Sequence, residues 1–87
     1  MKWDTSASFD PVILVFKDSD KRMIVRTAGD AANALMKDWP SDDGEEFLVA
    51  VKACLDVMTG NIEADQLREA IIRAAMEAGV KAISVLH

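Results

Sequence analysis

The stretch "RMIVRTAGDAANALMKDWP", Arg22 to Pro40, contains the change of period that decides the fold. In its first part Met23 and Val25 alternate with Arg22, Ile24 and Arg26, the two-residue repeat of a strand. From Ala28 onward, Ala28, Ala31, Ala32, Leu35 and Trp39 recur at helical spacing instead. Thr27 and Asp30 stand at the junction as a T-x-x-D cap, whose hydroxyl and carboxylate accept amide protons of a first helical turn. That helix must end near Asp38 or Trp39, because the ring of Pro40 disfavours the α conformation in the residue before it.

Upstream, "PVILVF" (Pro11 to Phe16) is apolar on both alternating faces, as in a strand covered on both sides, and Pro11 suits its first position. "KDSDK" supplies the turn of a hairpin between this strand and the next. Downstream, Phe47, Leu48, Val51, Cys54, Leu55 and Met58 form an apolar stripe on a second helix from about Asp43 to Met58, closed by Thr59 and Gly60. A third helix, Ala64 to Ala78, presents Leu67, Ile71, Ala74, Ala75 and Ala78 and stops at Gly79. "VKAISVL" (Val80 to Leu86) is β-branched and reads as a closing strand. The expectation is one α+β domain over residues 1–87, with residues 1–8 a flexible N-terminus. Its order is ββαααβ: a small three-stranded, mostly antiparallel sheet carrying three helices on one face. The neighbour of the closing strand stays open, and the uncovered face leaves Ile13, Val15 or their alternates, with Ile24, in water.

At 87 residues the chain can bury only a modest core, so pairing with a second copy would add stability. A net charge of −5 argues against broad phosphate-backbone binding, which needs a concentrated positive face. One cysteine makes no internal disulfide and offers no zinc quartet. No apolar run approaches the ~20 residues of a membrane span and no signal-peptide core is present, so a cytoplasmic location is expected.

The acidic segment Asp42, Asp43, Glu45, Glu46 lacks the ligand spacing of a calcium loop. Its simpler reading is punctuation: Trp39 and Pro40 stop one helix while the acids start the next, favoured by the positive end of its dipole. Cys54 sits mid-helix on the apolar stripe, and the only histidine is His87, so a structural thiol is the simpler reading than a nucleophile. No glycine-rich phosphate loop, nucleophile elbow or H-E-x-x-H pair appears, and no metal or cofactor site is expected. Lys17, Lys21, Arg22 and Arg26 concentrate positive charge on the hairpin, either as an anion or nucleic-acid contact or as a solvated edge that discourages aggregation. Arg68, at the margin of the third helix's apolar face, either lays its stem there and reaches Asp65 or clamps an anion. Val49, Ala53 and Val57 form a second apolar line, spaced i, i+4, i+8 and directed away from the main stripe.

Together, "FDPVILVF", "DWP" (Asp38 to Pro40), "ACLDVMTG" (Ala53 to Gly60) and "LREAIIRAAMEAGV" (Leu67 to Val80) resemble the bacterial domain of unknown function 982 over about residues 9 to 85. Leu67 and Ile71 depart from that pattern, where alanine and phenylalanine are common, and both are changes of core volume. The resemblance implies a small stand-alone α+β domain with no assigned activity. Its motif falls on Trp39, Pro40, Cys54, Gly60, Arg68, Ala75 and Gly79, of which Trp39 and Arg68 carry more chemistry than packing requires. The expected role is therefore a non-enzymatic module that forms a homodimer or docks on another protein, through the uncovered sheet face or the Val49, Ala53, Val57 line. The competing expectation is a regulatory domain whose basic hairpin takes nucleic acid or an anionic ligand.

Overall fold

The computed structural model describes residues 4–16, 21–40 and 42–84. Its elements run β1 (Ser8–Val15), β2 (Arg22–Thr27), α1 (Ala28–Asn33, continued by a π-helical segment, Ala34–Asp38), α2 (Glu45–Met58), α3 (Ala64–Ala78) and β3 (Lys81–Ser84). The strand order is β2-β1-β3 with both pairings antiparallel, so the closing strand lies beside the first. The expected turn at Lys17 to Asp20 and the residues Trp3, Val85, Leu86 and His87 lie outside the described residues.

Alternation in β1 sorts the side chains. Val12 and Leu14 are fully buried, and their cross-strand partners Val25, Met23, Ala82 and Ser84 share the helix-facing side. β1 begins at Ser8, three residues before the expected start, and its register with β2 shifts between Ser8 and Val12. The shift lets Phe9 and Val12, of opposite parity, both point inward, and Pro11 sits within it, where a missing amide costs no regular ladder bond. Of the N-terminal residues expected to be flexible, Asp4 donates its amide to the Met58 carbonyl at 3.1 Å, and Thr5 and Ala7 accept from Gly29 and Ala28.

The switch from β2 to α1 is capped by the Thr27 hydroxyl as expected, while the Asp30 carboxylate turns back to β2 instead of to the first helical turn. Thr27 Oγ1 accepts from the Asp30 amide at 3.1 Å, and the Asp30 carboxylate accepts from the Arg26 amide at 3.3 Å. Trp39 is extended, with ψ 134°, as its position before Pro40 requires. The π-helical turn ahead of it has no signature in the sequence. Gly60 and Gly79, which follow α2 and α3, hold φ of 80° and 74°, backbone that side chains with a Cβ rarely adopt.

α3 lies over β1 and β3, α1 lies on β2, and α2 packs against α3 and α1. Small residues allow this close approach: Ala50, Ala53 and Cys54 on α2, and Ala70, Ala74 and Ala75 on α3, are all buried. The resulting plate measures 36 × 33 × 17 Å, about the depth of one sheet and one helical layer. Among the described residues no helix is long and apolar enough to cross a membrane.

Candidate functional site

The helices cover one side of the sheet, so the alternate residues of each strand face out. In register, Ile24 of β2, Ile13 of β1 and Ile83 of β3 form one row across all three strands. Ile24 is 58% exposed and Ile83 39%, while Ile13, flanked on both sides, is half-buried. The next row is Arg22, Val15, Lys81. Among the described residues this face is uncovered, so β1, whose apolar run reads as a strand covered on both sides, has the helix layer on one side only, and β3 extends the open face.

Arg22 and Arg26 of β2 and Lys81 of β3 border this row, all exposed. None of them makes an ion pair among the described residues, whereas Lys21 pairs with Asp38 at 2.9 Å, Lys52 with Asp56 at 3.0 Å and Arg73 with Glu46 at 3.3 Å. Of the four hairpin cations singled out, Arg22 and Arg26 therefore lie on the open face, Lys21 is engaged by the end of α1, and Lys17 lies outside the described residues.

Of the acidic segment between α1 and α2, Glu45 and Glu46 fall in the first turn of α2, but the carboxylate that caps this helix comes from elsewhere. Gly44 occupies the cap position of α2 without a side-chain acceptor, and Glu77 of α3 supplies one: its carboxylate accepts from the Glu46 amide at 3.1 Å and the Phe47 amide at 3.2 Å. A Cβ on Gly44 would stand 2.0 Å from Glu77 Oε1, so the glycine makes room for this cap. The partners lie 31 residues apart, and no local pattern announces the contact. Among the described residues no group of three or more His, Cys, Asp or Glu is placed to hold a metal ion.

The second apolar line on α2 does not face outward as a unit. Ala53 and Val57 are 7% and 5% exposed, part of the core, and only Val49 is exposed. The stripe expected to be buried is instead divided: Cys54 is buried, while Leu48 and Leu55 point to solvent. The helix is apolar over most of its circumference, so periodicity alone leaves its rotation open. The small side chains at 50, 53 and 54 are the signal that identifies the tightly packed side. Leu55 and the highly exposed Met36 line a groove of about 230 Å³ between α1 and α2, floored by Ala32, Leu35, Val51, Cys54 and Met58. Val49 borders a shallower depression of about 210 Å³ on the α2–α3 seam, with Ala53, Ala70 and Arg73.

Trp39 and Arg68 are engaged within the fold. Trp39 meets Phe16 edge-on at 6.0 Å and Phe47 at 6.5 Å, joining the end of β1, the end of α1 and the start of α2. Its indole Nε1 is shielded and has no hydrogen-bond partner among the described residues. Arg68 donates from Nε to the Asp10 carbonyl at 3.0 Å and from a terminal nitrogen to Ser84 Oγ at 2.9 Å, fastening α3 to β1 and β3 in place of the expected contact with Asp65. Burial pushes the Cys54 thiol up to about 11, which leaves it protonated and non-nucleophilic at neutral pH.

No curated protein and no solved structure matches this chain. The pattern of the family described as Protein of unknown function (DUF982) matches residues 10–82, from within β1 through α3 into β3, and the chain belongs to that family.

Proposed function

We propose that this chain is a non-enzymatic interaction module, working in the bacterial cytoplasm, that buries the open face of its sheet against another protein surface or a second copy of itself. The observation that carries this reading is the row Ile24, Ile13, Ile83, aligned across three strands on the side without helices. A sheet with one apolar side uncovered gains from a second layer, because each side chain removed from water contributes about 1.5–3 kcal/mol when fully buried. The buried, protonated state of Cys54 supports a role without thiol chemistry.

The test is sedimentation velocity of the full chain, alone and with extract proteins, comparing wild type with Ile24→Asp. The module reading expects the variant to remain folded, since Ile24 is exposed, and to lose an association that the wild type forms. Identical behaviour of the two proteins under all conditions would remove the reading. A nucleic-acid role for the hairpin has less behind it: Phe16 and Trp39 pack on each other inside the fold, Phe9 is buried, and among the described residues no aromatic ring is offered on the cationic face for stacking.

A further inference from the structure

We infer that the occupant of the open sheet face is an amphipathic helix of a partner protein whose apolar stripe is flanked by aspartate and glutamate. This rests on the interaction-module reading and adds the partner's chemistry.

Two features of the face specify it. The first is size. Three strands set the outer pair about 10 Å apart, and the isoleucine row spans that width, which one helix of about 10–12 Å diameter covers. The second is charge. Arg22 and Arg26 stand on the β2 side and Lys81 on the β3 side, unpaired within the described chain, and no carboxylate occupies the open face of β2 or β3. Two copies meeting face to face about a two-fold axis would bring these cations toward one another around a low-dielectric seam, which opposes the contact. Pairing the exposed edges of two β2 strands about Ile24 would set Arg22 opposite Arg26 of the second copy, a like-charged cross-strand pair. Carboxylates on both flanks of a helix instead meet cations on both sides of the row. Electrostatic complementarity of this kind sets the choice of partner and the rate of encounter, while the apolar row supplies the hold.

The experiment uses two synthetic helical peptides with the same leucine stripe, one flanked by glutamate and one by lysine, titrated into the isotopically labelled full chain. The expected result is that the glutamate peptide shifts the methyl signals of Ile13, Ile24 and Ile83, binds at least tenfold more tightly than the lysine peptide, and weakens as salt rises. Arg22→Glu combined with Arg26→Glu, both exposed positions that leave the core intact, reverses the preference. Equal binding of the two peptides, or a preference that survives the double reversal, overturns the inference. A wild type that dimerises through these three isoleucines and takes neither peptide also overturns it, while leaving the interaction-module reading standing. A strict monomer whose isoleucine methyls respond to neither peptide nor extract removes both.

Discussion

Arg68 shows how a residue that looks available in the sequence can be committed in the fold. A guanidinium at the margin of an apolar helix face is a good anion clamp, but here two of its donors go to the Asp10 carbonyl and Ser84 Oγ, from strands that flank one another. Lysine cannot span both acceptors with a planar fork, so Arg68→Lys is expected to lower stability by about 1–2 kcal/mol, seen as a shifted urea midpoint with unchanged slope. Cys54 gives a second prediction. Its thiol is raised from an ordinary 9.0 to about 11 by burial, so the unfolded chain ionises first as pH climbs. Below 9.0 both states are protonated and the group adds no pH dependence; between 9.0 and about 11 stability falls with rising pH, by up to about 1.4 kcal/mol per unit. The difference between urea midpoints at neutral pH and near pH 11 should therefore be larger for wild type than for Cys54→Ala. The buried character of Cys54 was legible from its place in the apolar run. The partners of Arg68 were not, because hydrogen bonds spanning 58 and 16 residues leave no trace in local spacing.

At the level of elements, the strands and helix ends were readable because single residues decide them: Thr27 with Asp30, Trp39 before Pro40, Gly60 and Gly79. The rotation of α2 was not, since leucines and valines surround it and only the small side chains at its inner seam mark the contact with α3. Val57→Asp is accordingly expected to unfold the chain or destabilise it by more than about 3 kcal/mol, because it places a carboxylate in the core. Leu48→Lys and Leu55→Lys should each change stability by less than about 0.5 kcal/mol, measured by thermal denaturation. The cap from α3 onto α2 offers a coupled test. Glu77→Ala should cost about 1 kcal/mol, and Gly44→Ala a similar amount because its methyl displaces the same carboxylate. Together they should cost little more than one alone, since the second change removes what is already lost; strict additivity would contradict the cap.

For the whole molecule, a 17 Å plate with helices on one side turns a three-strand sheet face outward; the element order foretold that face without saying how its strands were ordered, whereas "PVILVF", apolar on both alternating faces, read as a strand covered on both sides. Placing β3 beside β1 aligns Ile83 with Ile13 and Ile24, and this register converts scattered exposed side chains into one continuous row with cations on both sides. The measurement that bears most directly on the role of this face is site-specific photo-crosslinking in living cells, with the reactive side chain replacing Ile24 in one variant and the exposed Glu69 of α3 in another. A discrete adduct from position 24, absent from position 69 and abolished by Arg22→Glu with Arg26→Glu, is the expected result. No adduct from position 24, or equal adducts from both positions, would contradict the account.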